Sequence, residues 1–248
     1  MPIQGLYKCF NHWHQEGTCW IYSDPHFNDP DILAGVKNPM SADDQIKMIN
    51  SKVGRKDTFI CLGDICDISY VKKIRAQYKI LIMGNHDSGR SNYERKVYRE
   101  CFPMEDYTEE EALEAMKKMF PDCRYSVEET YQFHGRFCYW SITADNLLFD
   151  EVYEGPVMLG EKLILSHEPI DVPWAYNLHG HDHSGWHKGG NKFNVCSNVI
   201  NYTPINFNQW MKEGHLAHIE SIHRTTINSA IIRKAKRGGK KLGQKENK

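Results

Sequence analysis

The chain has 248 residues, 40% hydrophobic and 25% charged, which suffices for one well-buried core and is short for two ordinary domains. Its 31 Lys and Arg balance 32 Asp and Glu, and a mean hydropathy of -0.62 excludes collagen-like, wholly disordered and integral-membrane chains. No apolar run approaches the ~20 residues of a bilayer span, and the start Met1-Pro2-Ile3-Gln4-Gly5-Leu6-Tyr7-Lys8 lacks an export signal, so a cytoplasmic location is expected.

In chain order, a weak strand pattern covers residues 5–12 and a stronger one residues 18–22, short, apolar and rich in aromatic and β-branched residues. A helix is expected over 41–53, where Ser41 can cap and Asp44 falls three residues on. Strands at 58–62 and 80–83 flank a helical candidate at 69–78. Residues 90–125 read as a mainly helical insertion with helices at 91–101 and 108–120, the second opened by a capping box of Thr108 and Glu111, and with Pro103 and Pro121 as punctuation. Strands follow at 135–143, 163–165, 175–178 and 192–197, and a last helix at 208–219. There is no internal repeat, and the alternation favours an α/β or α+β architecture in a single domain over residues 1–232.

Residues 233–248 hold eight Lys or Arg and one Glu, a net +7 that leaves -8 on residues 1–232 within an overall -1. This tail has few apolar residues and is expected to be disordered; it could reach nucleic acid or another polyanion, though it carries no aromatics on which bases would stack. The eight cysteines, at 9, 19, 61, 66, 101, 123, 138 and 196, form no C-x-x-C pair and read as free thiols.

The chemistry sits just after the apolar runs: Asp24-Pro25-His26, Gly63-Asp64-Ile65-Cys66-Asp67, Gly84-Asn85-His86-Asp87 and Ser166-His167-Glu168-Pro169, with a fifth cluster, His179-Gly180-His181-Asp182-His183. Loops at the carboxyl ends of strands in an open α/β sheet converge on one crevice, so ligands spread along the sequence can meet there. Carboxylate with imidazole suits borderline divalent ions such as Zn, Mn and Fe, and no cysteine is needed. Two such ions require a shared anionic bridge, and Asp64 at the tip of a glycine turn fits that role.

In this order D-x-H, G-D-x-x-D, G-N-H-D, H and G-H-x-H resemble the calcineurin-like metallophosphoesterase superfamily, from Asp24 to His183. The resemblance implies a four-layer α/β/β/α sandwich with a dinuclear site at the strand ends. It implies one metal on Asp24, His26, Asp64 and His183, and a second on Asp64, Asn85, His167 and His181, with Mn the first expectation and Fe, Zn or Ni alternatives. A hydroxide bridging the metals would attack phosphorus, His86 would be the general acid, and Asp67 would orient its imidazole.

The expected function is therefore hydrolysis of a small phosphate ester. Ile68 stands where the family's protein Ser/Thr phosphatases carry a phosphate-gripping Arg, which argues against that branch and tilts the expectation toward a phosphodiester over a monoester. Two competing readings are a catalytically inactive binding scaffold on the same fold and a nuclease recruiting its substrate with the basic tail. Flanking residues have plainer expectations: His179, Asp182 and His187 as neighbours of ligands or surface groups, Arg90 as a helix-start residue, and His12, His14, His134, His215, His218 and His223 as structural. The six tryptophans are expected in the core or in pocket walls.

Overall fold

The structure, a computed structural model, describes residues 17–132, 135–185 and 190–243. The weak strand over 5–12, together with His12, Trp13, His14, His134, Trp186 and His187, lies outside the described residues. The first half runs β1 (Cys19–Tyr22), α1 (Pro30–Gly35), α2 (Ala42–Lys52), β2 (Thr58–Cys61), a 3-10 segment (Ile68–Lys73), β3 (Tyr78–Ile82), a second 3-10 turn (Arg90–Asn92) and β4 (Val97–Pro103). Next come α3 (Glu109–Met119), β5 (Arg124–Gln132), β6 (Phe137–Asp145), β7 (Glu151–Tyr153), β8 (Val157–Leu159) and β9 (Leu163–Ser166). The chain closes with β10 (Tyr176–His179), β11 (Lys192–Asn194), β12 (Ile205–Asn206), α4 (Phe207–Lys212) and α5 (Ile222–Gly243).

This is a mixed α/β fold built on two facing sheets. The larger has the order β12-β1-β2-β3-β7, with β1, β2, β3 and β7 mutually parallel and β12 antiparallel at the edge. The smaller has the order β11-β10-β9-β8, with only β8 antiparallel. Because side chains alternate along a strand, Ile21, Ile60, Leu62, Ile80 and Ile82 point between the sheets to meet Leu163, Leu165 and Leu178. Tyr22, Phe59, Cys61 and Leu81 point the other way, onto Ala42, Ile46 and Ile49 of α2. Each of these buried aliphatic side chains contributes roughly 1.5–3 kcal/mol, so the strands that carry the functional loops are also the best anchored.

The stretch expected as a mainly helical insertion keeps its second helix, Glu109–Met119, but its first half is a strand, Val97–Pro103. Residues 91–101 carry apolar Tyr93, Val97, Tyr98 and Cys101 at helix-like intervals, yet β4 pairs antiparallel with β6, and β6 with β5, in a third sheet backed by α3. Strand pairing with the long β6 overrides local periodicity there, and α3, with its capping box of Thr108 and Glu111, is the one α-helix between residues 90 and 125. Three other expectations change. The candidate at 69–78 is only a 3-10 segment ending at Lys73, α4 stops at Lys212 ahead of Gly214 at φ +80°, and the basic tail is helical through residue 243. That last helix starts among Ile222, Ile227, Ile231 and Ile232, and Lys and Arg are good helix formers, which offsets the lack of a buried face. Among the described residues, no helix is long and apolar enough to cross a membrane, and the seven described cysteines are free.

Candidate metal centre

All five clusters lie at the carboxyl ends of β1, β2, β3, β9 and β10, and backbone bonds stitch the loops together. Asp24 N–H donates to Gly63 O at 3.1 Å, His26 N–H to Asp64 O at 3.0 Å, and Gly180 N–H to His167 O at 2.8 Å. Asp24, His26, Asp64 and His181 all take positive φ, between +40° and +64°. Four non-glycine residues in this sparsely populated region at one spot mark a site where the surrounding fold holds backbone against its preference. Gly180 is required for another reason: a Cβ there would run into the Asp24 carboxylate and the Ser23 hydroxyl.

The side chains converge in overlapping sets, with Asp24 grouped both with His26 and His183 and with Asp64 and His167. Asp24, His26 and His183 present ligand atoms within 4.8 Å of one another. On the His167 side, Asn85 Oδ1 lies 2.8 Å from His167 Nε2 and 3.0 Å from His181 Nδ1. Asp64 Oδ2 stands between them, 3.4 Å from His26 Nε2 and 3.3 Å from His167 Nε2. Outer contacts aim the imidazoles: His26 Nδ1 meets Asp29 Oδ2 at 2.9 Å, His167 Nδ1 meets Leu62 O at 2.8 Å, and His183 Nδ1 meets Asn198 Oδ1 at 2.9 Å. Asp24 itself accepts from His181 N–H at 3.0 Å, which fixes the loop after β10 over β1.

This centre is buried and charged. Burial raises the carboxyl of Asp24, against the pull of His167 and the Ser23 hydroxyl. Burial acts the same way on Asp64, but His26, His167 and the His86 N–H outweigh it and hold this carboxyl below its ordinary value. For His26 burial works downward, and Asp64, Cys66 and Asp29 overcome it to push the imidazole up to about 10. Burial also lifts the thiols of Cys66 and Cys196, so the latter, 3.2 Å from His183 Nδ1, is a neutral neighbour. Nε2 of His26 is buried and, the Asp64 carboxylate 3.4 Å away apart, has no hydrogen-bond partner, which costs free energy unless something else meets it. Two carboxylates, four imidazoles and one amide oxygen around such an atom fit divalent cations of the borderline class.

Every expected ligand is thus brought to this one place, and so is His86, exposed at the rim with its ring 5.0 Å from that of His26. Asp67 is not: its Oδ1 accepts from Ser69 N–H at 3.0 Å, capping the 3-10 segment, and its Oδ2 accepts from Asn28 Nδ2 at 2.8 Å. No hydrogen bond joins Asp67 to His86 among the described residues; standing immediately before the 3-10 segment, its carboxylate caps the free N–H there. The carboxylate grouped with the His86 ring is that of Asp29. Sequence reading also passed over the roles of Asp87, whose signal was its place inside a ligand cluster, and of Asn198, which lies far from any cluster in sequence and carried no signal. Arg90 pairs with Glu94 at 2.6 Å on the surface, His215 stacks on Trp210 with centroids 4.6 Å apart, and buried His179 contacts Gly180 O at 2.8 Å.

The model of the calcineurin-like phosphoesterase family matches residues 17–200, a span that includes every residue of this centre, and the chain belongs to that family of metal-dependent phosphoesterases. No curated protein matches the sequence. Among solved structures the chain is similar to the protein of unknown function AQ665 from Aquifex aeolicus, at 17% identity and a TM-score of 0.45 over 79% of this chain and 99% of that one.

Proposed function

We propose that the protein is a dinuclear-metal phosphoesterase that hydrolyses phosphodiesters in preference to monoesters. The observation that carries this reading is the place of Asp64 Oδ2, about equally far from His26 Nε2 (3.4 Å) and His167 Nε2 (3.3 Å), where one carboxylate could serve a cation on either side. Asp24, His26, Asp64 and His183 would hold one cation, and Asp64, Asn85, His167 and His181 the other, with Mn the first choice and Fe, Zn or Ni alternatives. Bound cations of this kind supply Lewis acidity to a phosphoryl oxygen and lower the pKa of water. The chain's own part is to hold the donors at fixed distances and to keep a proton at the rim. His86 does the latter: its backbone N–H is held by Asp64 Oδ1 at 2.9 Å, and its ring is free to face a leaving oxygen. Ile68, half-buried against the core, offers no cation for the additional charge of a monoester, which favours a diester.

The test is hydrolysis of bis-p-nitrophenyl phosphate and p-nitrophenyl phosphate by chelator-stripped protein after adding back Mn, Zn, Fe, Ni or Mg, alongside His86→Ala. The expected result is metal-dependent cleavage, faster on the diester, with the variant impaired but still metal-loaded. Two bound metals with no turnover of either ester would point instead to a binding scaffold, and faster monoester cleavage would reverse the stated preference.

A further inference from the structure

At the opposite end of the larger sheet lies a cavity of about 750 Å³. Its wall comes from three places: Arg55 ahead of β2, residues 72–79 leading into β3, and Arg95, Arg124 and residues 147–150 around the third sheet. The metal-site loops leave β3 at its other end, so its five residues put roughly 17 Å between the two sites.

The charge balance of this wall is one-sided. Arg95 is neutralised by Asp145 at 2.6 Å and Asp150 at 2.7 Å, Arg124 is 3.6 Å from the same Asp145, and Lys73 is 3.2 Å from Asp43. The remaining cations form no ion pair within 4.0 Å of a carboxylate among the described residues. Lys72 Nζ donates to Asp122 O at 2.6 Å, and Lys79 Nζ donates to Leu147 O at 2.6 Å and Val71 O at 3.0 Å. Arg55 and Arg75 are exposed, with no side-chain partner among the described residues. Four cations without carboxylates around one concavity repel each other, in a chain whose residues 1–232 are net acidic. Burial lowers the Lys79 ammonium to about 8, against the pull of Asp150 and with the push of Arg95.

We propose that this cavity binds a small polyanion, a molecule carrying several phosphate or sulfate groups, at a site separate from the metal centre. The volume falls within the range of small-molecule sites, about 300–1,000 Å³, and the cations converge from three chain segments into a hollow instead of tracking along a face as they would for an extended strand. Guanidinium groups such as Arg55 and Arg75 suit bidentate bonding to such oxyanions.

Sucrose octasulfate is a suitable probe, being small, polyanionic and not a phosphate ester, and its binding to the metal-loaded full chain can be followed by calorimetry at low salt. One-to-one binding is expected, roughly tenfold or more weaker in Arg55→Ala/Arg75→Ala and weaker still in Arg55→Glu/Arg75→Glu. Both side chains are exposed and make no side-chain bond among the described residues, so these variants should keep the wild-type melting temperature. Asp64→Ala and deletion of residues 233–248 should leave the affinity unchanged. The proposal is overturned if the wild type does not bind, if the arginine variants bind as the wild type does, or if either control abolishes binding, which would place the anion at the metals or on the basic tail.

Discussion

The carboxylate of Asp87 is clamped on the backbone of Asp64, with Oδ2 accepting from the Asp64 N–H at 2.9 Å. The same group accepts from Gly84 N–H at 2.9 Å and, through Oδ1, from Ile65 N–H at 3.0 Å, so one buried side chain locks the loop after β2 to the loop after β3. Asp87→Ala would leave three N–H groups without this acceptor, each costing about 1–3 kcal/mol where water cannot replace it. A large drop in melting temperature is expected, together with weakened metal uptake in the protein that remains folded. A variant with wild-type melting and metal content would show that the clamp is dispensable.

If two cations share Asp64, removing an outer contact should affect only one of them. Asn198 accepts from His183 Nδ1 at 2.9 Å and donates to His183 O at 2.7 Å, and its hydrogen bonds among the described residues do not reach Asn85, His167 or His181. Asn198→Ala should therefore weaken one site by roughly 10–100-fold while the other keeps its affinity. Asp64→Ala should empty both. Metal titration read by elemental analysis distinguishes these outcomes, and equal loss at both sites in Asn198→Ala would contradict the division.

Asp67 provides a sharp contrast with His86. Because its oxygens are taken by Ser69 N–H and Asn28 Nδ2, Asp67→Ala should lose a cap worth about 1 kcal/mol and leave ester hydrolysis nearly intact. A fall in turnover of roughly 100-fold without unfolding would instead assign it to proton transfer.

Lys79 makes a prediction for stability against pH. Its ammonium titrates near 8 in the folded chain, against an ordinary value of 10.5, because burial disfavours the charge. Below about 8 both states carry the proton and the folded state bears the cost of the buried charge. Between about 8 and 10.5 the unfolded chain binds the proton more, so stability from this group rises with pH across that window. Urea unfolding at pH 7, 8, 9 and 10 should show the rise in the wild type and a flatter profile in Lys79→Met. Identical profiles would remove Lys79 as its source.

Gly180→Ala tests the close approach of the loop after β10 to β1. The added Cβ meets Asp24 and Ser23 side chains that are themselves buried, so relief requires moving a candidate ligand. Overpacking of this kind costs about 1–3 kcal/mol, and metal affinity should fall with it. Retention of both would mean that the loop has room to shift.

The parts of this molecule that could be read in advance are those where local and global demands agree. The runs that became β1, β2, β3 and β9 are buried on both faces, and parallel strands of that kind appear as short apolar stretches ending abruptly in polar loops. The ligand clusters stand at those ends, so their convergence followed from topology. The strand β4 was hidden because it is largely exposed and its apolar residues fall at helical intervals; only pairing with the distant β6, as in Arg99 with Thr143, decides its state. Asp67 and Asp87 were hidden for a different reason. Both are carboxylates beside candidate ligands, and which backbone N–H each one captures depends on loop conformation, which spacing alone does not specify.

The edge position of β12 has a consequence for synthesis on the ribosome. Strand β1 is made well before its outer neighbour, residues 205–206, and Cys19 N–H waits for Asn208 Oδ1, 189 residues downstream, at 2.6 Å. Until residues 205–206 are made, β1 would present an apolar strand edge with nothing on it, the kind of surface on which nascent chains associate. The loop carrying Asp24 is in the same position, since His181 and Ser197, which hold it, are 157 and 173 residues away. Nascent chains stalled before residue 205 should therefore engage chaperones, and release from them should coincide with completion of the metal-site loops.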